Sequence, residues 1–310
     1  MKDTVIEVSD LSKSFDGTRV LSGISFSVSQ GEVFGFLGPN GAGKTTTMRI
    51  LLGLLRPDSG NALVLGRSLA VADAVRGSVG VLLEHNGLID RLSAFENLDY
   101  YARLYGVRAR EARIAELLEF AGLSDRKDDL VGTFSTGMKR KIGLARAILH
   151  DPRILFLDEP TSGLDPEAQA VVRELILQLS AEESMTVFLN SHNLDEVQRI
   201  CSAVAVLDRG VIRAFDSVEH LRAGEGIGYE LVLADPGQRA GAVVILSQIG
   251  GATVTGGEGD RIALSLGGVS PSDVLSRLVA SGIAVEEARK TRKSLEEIYL
   301  GLVAKRGEAA

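Results

Sequence analysis

The chain has 310 residues, 45 % hydrophobic and 24 % charged, enough for a sizeable core and more than one ordinary domain, so one large and one small domain are expected. Lys and Arg total 34 against 41 Asp and Glu, and the net charge of −7 argues against a general nucleic-acid coat. The single cysteine, Cys201, excludes an intrachain disulfide and reads as core filling, and no apolar run reaches the ~18–20 residues of a membrane span.

Met1-Lys2-Asp3-Thr4 lacks the basic-then-apolar pattern of a signal peptide. Residues 5–8 and 20–28 alternate apolar and polar side chains, with Asp16-Gly17 as a turn between them, which predicts paired strands. Residues 32–37 are nearly all apolar, as in a strand buried on both faces of a mostly parallel sheet. That strand runs into Gly38-Pro39-Asn40-Gly41-Ala42-Gly43-Lys44-Thr45, then Thr46 and a helix to residue 55. Pro57-Asp58-Ser59-Gly60 reads as the turn that closes the unit. The G-x-x-x-x-G-K-T spacing lets successive backbone N–H groups turn inward around phosphates, and the helix adds its positive end. In such a loop Lys44 reaches the β and γ phosphates of a nucleoside triphosphate, and the Thr45 hydroxyl holds Mg²⁺.

From about residue 86 to 150 the apolar residues take helical spacing, predicting helices over 94–105, 109–121 and 137–149 inserted into the α/β body. Within this stretch the basic run Lys139-Arg140-Lys141 reads as a solvated helix face, as does the run from Arg289 to Lys293 further on. The body resumes with a strand at 154–157 that delivers Asp158-Glu159 to the carboxyl edge of the sheet, where open α/β sheets bind ligands. There Asp158 is expected to support Mg²⁺ through water, and Glu159 to polarise the water that attacks the γ phosphate. A helix at 166–180, a strand at 186–189, a helix at 193–201 and a strand at 203–207 follow, closed by Asp208-Arg209-Gly210 as a turn. Gly224-Glu225-Gly226-Ile227-Gly228 is the expected linker. Beyond it the pattern predicts strand 229–234, helix 236–249, strands 251–256 and 260–266, helix 271–281, strand 283–288 and helix 294–304. That is a β-α-β-β-α-β order, a small ferredoxin-like α+β module with a terminal helix.

On the glycine loop, Phe134-Ser135-Thr136-Gly137-Met138 and Asp158-Glu159, the chain resembles an ATP-binding-cassette (ABC) ATPase. It is most similar to the ATP-binding subunits of daunorubicin-resistance-type drug and antibiotic efflux systems, densely over residues 4–215 and loosely beyond. The resemblance implies an α/β P-loop NTPase cassette over 1–222, with a helical subdomain at about 86–150, and an accessory or regulatory domain over 223–310. It also implies that Ser135, Thr136 and Gly137 form the signature loop, which completes the site of a second copy in a homodimer of cassettes. Asp165 closes a loop that communicates between subunits, and His192 is the switch histidine at the γ phosphate. Phe15 stands where the family stacks an aromatic ring on adenine, although a core phenylalanine beside Leu11 is the competing reading.

Two positions depart from the family pattern. Where a glutamine is usual near position 84 the chain has Glu84, a further candidate Mg²⁺ ligand, with His85 the lesser candidate. Thr136 replaces a more common glycine, restricting the backbone while Ser135 and Gly137 remain. The implied function is ATP hydrolysis coupled to export through a separate transmembrane permease at the cytoplasmic face of the membrane, with no nucleic-acid partner. In the family the region around residues 84–98 receives a helix of that membrane partner. The alternative is a soluble or regulatory ABC ATPase not coupled to transport. For the C-terminal module the readings are a dimer brace or a site for a small regulator.

Overall fold

The computed structural model of the chain describes residues 3–68, 73–182, 184–224, 228–291 and 294–304. Met1 and Lys2, the linker residues 225–227 and the end of the second basic run, 292–293, lie outside the described residues. The chain divides into two compact units, Met1–Val218 and Glu219–Ala310.

In the first unit the opening alternation forms β1 (Thr4–Phe15) and β2 (Thr18–Ser29), antiparallel about Asp16 and Gly17, both with positive φ. Two such residues between strands suit the twist of a hairpin. β3 (Val33–Leu37) is buried at every position and leads through the glycine loop into α1 (Lys44–Leu51). β4 (Ser59–Val64) and β5 (Arg67–Ser68) then extend the first hairpin into an antiparallel sheet, β2-β1-β4-β5. The sequence reads as a turn where β4 begins, and Gly60 is the reason. A Cβ there would lie 2.3 Å from the Asp10 carbonyl oxygen, so this glycine marks the close approach of β1 rather than the end of an element.

After α2 (Asp73–Arg76) and β6 (Val79–Leu82) come three helices, α3 (Ala94–Leu104), α4 (Arg110–Phe120) and α5 (Thr136–Ala147). The α/β alternation resumes with β7 (Ile154–Asp158), α6 (Pro166–Glu182), β8 (Thr186–Ser191), α7 (Leu194–Ile200), β9 (Ala203–Asp208) and β10 (Val211–Ser217), after which α8 (Val218–Gly224) leads into the second unit. The central sheet runs β10-β9-β3-β8-β7-β6, parallel except for β10, a strand without alternating burial that the sequence pattern does not announce.

Two layers of core fix this sheet. On one face Phe34, Phe36 and Phe188 meet Phe26 of β2, with ring centroids 5.2 Å (Phe26–Phe36) to 6.2 Å (Phe26–Phe188) apart, and Phe156 joins them through Phe188 at 5.4 Å. Burying each ring contributes on the order of 1.5–3 kcal/mol, and the ring pairs add about 0.5–1.5 kcal/mol each. On the other face α7 packs against Gly35, where a Cβ would meet Val197 Cγ1 at 2.7 Å and Cys201 Sγ at 3.1 Å. Cys201 is buried there and burial pushes its thiol well above the ordinary range, so it stays protonated and fills space as expected.

α3 opens with a reciprocal capping box between Ser93 and Glu96. One residue on, fully buried Asn97 gathers the preceding loop. Its Oδ1 accepts from Ile89 N (2.8 Å), and its Nδ2 donates to Ile89 O (3.0 Å) and Ser93 O (2.9 Å). Asn97→Ala leaves these groups unpaired away from water. A loss of about 1–3 kcal/mol in denaturant-induced unfolding is expected, with a larger loss if several of the groups find no water.

The second unit contains β11 (Gly228–Leu233), α9 (Arg239–Ser247), β12 (Ala252–Gly256), β13 (Arg261–Leu266), α10 (Pro271–Ala280), β14 (Val285–Thr291) and α11 (Leu295–Ala304). Its antiparallel sheet has the order β12-β13-β11-β14, which with the two crossing helices is the ferredoxin-like arrangement. Leu246 and Ala242 of α9 and Val274 and Leu278 of α10 share one core with Leu231, Ile262 and Leu264 of the sheet.

Candidate nucleotide site

The carboxyl ends of β3, β7 and β8 open onto a cleft of about 610 Å³. Its floor is the glycine loop, where three glycines take positive φ. A Cβ on Gly38 would lie 2.2 Å from the Leu207 carbonyl oxygen, and Gly41 sits at φ 80°, in the left-handed region. α1 begins at Gly43 with no side-chain cap and no acidic residue in its first turn, so its N–H groups point at the cleft unopposed. Lys44 is 7 % exposed. Its ammonium donates to Gly38 O at 2.7 Å and to Pro39 O at 3.4 Å. Burial pulls its pKa below the ordinary lysine range, against the opposing pull of Glu159 and Asp158.

Opposite the loop stands the acidic end of β7. Asp158 is nearly buried and its Oδ1 accepts from Asn190 Nδ2 of β8. Burial raises its carboxyl pKa, as do the charges of Glu159 and Glu84, while the Asn190 hydrogen bond and Lys44 lower it. Glu159 takes φ 50°, a strained value for a residue with a side chain. Its N–H donates to Asn190 O at 2.9 Å, and its Oε1 lies 2.8 Å from Nδ1 of His192, which donates to it. The carboxylate is thereby oriented by an imidazole at the mouth of the cleft.

Of the residues expected from sequence, Pro39, Asn40, Gly41, Gly43, Lys44, Thr45, Thr46, Glu84, Asp158, Glu159 and His192 all line this cleft. Gly38 and Ala42 lie behind it in the loop, both buried. Phe15 is 43 % exposed at the end of β1, with the Lys13 ammonium 5.4 Å from its ring centroid, so it is not a core residue. Ser135, Thr136, Gly137 and Asp165 do not line the cleft. Ser135 caps α5, accepting from Met138 N at 3.3 Å, and Ser135 and Thr136 are exposed. Gly137 lies close to α6, where a Cβ would meet Ala168 Cβ at 3.1 Å. Asp165 caps α6 through Ala168 N at 2.9 Å.

Three further residues build the site. Asn190 holds both Asp158 and Glu159, and an Asn-Ser pair ending an otherwise apolar strand was its sequence signal. Ser162 lines the cleft beside the acidic pair. Arg140 is a correction: it is not on a solvated face but 3 % exposed, and it donates to the Glu159 carbonyl at 3.1 Å. Its place three and four residues before buried Gly143 and Leu144 puts it on the buried stripe of α5, which the charge run obscured.

The residues present fit a magnesium ion. Thr45, Asp158 and Glu84 bring hard oxygen donors to one cleft, and the burial that raises the Asp158 pKa, joined by the charges of Glu159 and Glu84, is what a divalent cation offsets. Among the described residues no group of three His, Cys, Asp or Glu could hold a metal by itself. Phosphate oxygens and water would have to complete such a shell.

The ABC transporter family profile matches residues 21–162. The daunorubicin/doxorubicin resistance ATP-binding protein DrrA of Streptomyces peucetius is 38 % identical over 305 residues, 96 % of this chain and 92 % of its own length. The chain belongs to the ABC transporter ATP-binding proteins. The bacitracin transport ATP-binding protein BcrA of Bacillus licheniformis is 35 % identical over 302 residues, 97 % of each chain. The solved structure of cbiO1 from Clostridium perfringens, part of the ABC transporter complex cbiONQ, matches with TM-score 0.67 and 27 % identity over 72 % of this chain and 92 % of that one. As an ABC ATPase the chain binds and hydrolyses ATP. The cleft brings the glycine loop and Lys44 together with the carboxylates of Asp158 and Glu159.

Proposed function

We propose that the chain is the ATP-hydrolysing subunit of an exporter, working as a head-to-tail pair of cassettes on a separate membrane-spanning permease at the cytoplasmic face of the cell membrane. The observation that carries this reading is the division of the motifs. Lys44, Asp158, Glu159 and His192 share one cleft, whereas Ser135 and Thr136 stand exposed outside it, open to a neighbouring copy. The resistance and transport roles printed in the names of DrrA and BcrA support the export reading. No helix among the described residues is long and apolar enough to cross a membrane, so coupling would run through the partner.

In this reading the loop N–H groups, the α1 terminus and Lys44 hold the phosphates, and Phe15 stacks on the adenine. Thr45, Asp158 and Glu84 would hold Mg²⁺, which supplies neutralisation of phosphate charge. His192 orients Glu159. Glu159 accepts a proton from the attacking water as its oxygen bonds to the γ phosphorus. The bond from that phosphorus to the bridging oxygen breaks, and ADP leaves with the electron pair. Ser135 and Gly137 of one copy close over the nucleotide of the other, and the loop at Ser162 to Asp165 reports between them.

Mixing two inactive copies tests the shared site. A Glu159→Gln copy combined with a Gly137→Asp copy yields a mixed pair with one intact composite site. Recovery of roughly half of the paired activity per mixed dimer is expected in a phosphate-release assay, measured over either variant alone. A mixture as inactive as its components would mean that each copy completes its own site. Co-purification of the permease with the tagged chain tests the coupling.

A further inference from the structure

Three side chains from α5 and the turn after it close the free edge of the central sheet. β6 pairs with β7 on one side only. On the other side the carbonyls of alternate residues accept from this helix and the turn after it. Val79 O takes His150 Nε2 at 3.1 Å, Val81 O takes Arg146 Nη2 at 2.8 Å, and Leu83 O takes Arg140 Nη1 at 3.0 Å.

Arg140 does more than its two neighbours. Its Nη1 also reaches Glu84 O at 3.3 Å and Asn86 Oδ1 at 3.1 Å, and its Nη2 donates to Glu159 O at 3.1 Å. One buried guanidinium therefore joins the segment carrying Glu84 to the residue carrying the catalytic carboxylate. Glu159 needs such support. A left-handed φ on a side-chain-bearing residue is strained and persists only where the surroundings over-determine it. Here its N–H is held by Asn190 O and its carbonyl by Arg140.

We propose that Arg140 is a positioning residue for ATP hydrolysis, holding Glu159 and the Glu84 segment in register with the helix that begins at Ser135. The inference rests on the reading of Glu159 as the base. Closure of a neighbouring copy against Ser135 and Gly137 then acts on a helix already tied to the carboxylate it must align. A planar fork reaching three segments suits arginine, whereas a lysine offers a single point of charge and cannot span them.

The test compares Arg140→Met and Arg140→Lys with Arg146→Met in the full-length chain, assaying MgATP turnover, KM for ATP and thermal midpoint. Arg146 caps the same edge strand from the same helix, donating to Val81 O, and its guanidinium lies over the Tyr101 ring, 4.9 Å from the centroid. Arg140→Met is expected to lower kcat on the order of 10²-fold with KM within about threefold, since misplacing a catalytic group by about an ångström costs that much. Arg140→Lys should fall between it and wild type, and Arg146→Met should keep most of its turnover. Equal kcat losses in Arg140→Met and Arg146→Met that track their thermal midpoints would reduce Arg140 to a staple and overturn the proposal. So would unchanged kcat in Arg140→Met while Glu159→Gln is inactive. Retained turnover in Glu159→Gln would instead overturn the base assignment beneath it. If Arg140→Met does not fold, Arg140→Lys, which keeps the charge and most of the volume, carries the same comparison.

Discussion

Glu159→Gln is expected to lower ATP turnover by on the order of 10²- to 10⁴-fold, the usual contribution of a general base, while ATP still binds. The substitution is nearly isosteric, so the backbone hydrogen bonds of residue 159 to Asn190 and Arg140 stay in place. An amide can still receive the His192 N–H, but it cannot take a proton from water at neutral pH. The loss should therefore appear in kcat. Phosphate release measured beside binding of a fluorescent ATP analogue checks it, and near-wild-type turnover would place the base elsewhere. Because the nucleotide is held but not cleaved, the variant should also accumulate as an ATP-bound pair in size-exclusion chromatography.

Lys44→Ala acts one step earlier. The cleft carries three carboxylates, those of Glu84, Asp158 and Glu159, and Lys44 supplies the ammonium that faces them. A charge-assisted hydrogen bond to phosphate contributes about 1.5–3 kcal/mol, so ATP affinity should fall roughly 10- to 150-fold. The protein itself should tolerate the change. Lys44 is held below its ordinary pKa by burial, and removing a desolvated ammonium relieves that cost, so the thermal midpoint should hold or rise slightly without nucleotide. Equilibrium titration with ATP and a melting curve on the same sample read both effects. Unchanged affinity would mean that the loop backbone alone holds the phosphates.

The parts of the chain that speak through spacing were legible. A glycine loop between an apolar strand and a helix, an acidic pair at a strand end and the 3.6-residue rhythm of α3 to α5 need only local rules. What stayed hidden was the residue whose meaning depends on a distant segment. Arg140 sits in a basic triplet that locally reads as solvent-facing, and its partners lie 19 to 57 residues away. Gly60 looked like a turn because its real neighbour, Asp10, arrives from another strand. β10 escaped because its residues, half-buried except for exposed Phe215, leave no alternation to read. Phe15 could be told apart from a core phenylalanine only once its exposure was known.

The side chains that close the edge of β6 also constrain how the protein can be made. As the chain leaves the ribosome, Val79 to Leu82 emerge with neither of their flanks covered. The groups that cover one flank lie 57 to 71 residues later, at Arg140, Arg146 and His150, and the strand that covers the other, Ile154–Asp158, follows at once. Both flanks thus become satisfiable within one short interval of synthesis. Until then a Val-Gly-Val-Leu segment is open to any other unpaired strand, and a pause before residue 158 exposes the nascent chain to aggregation.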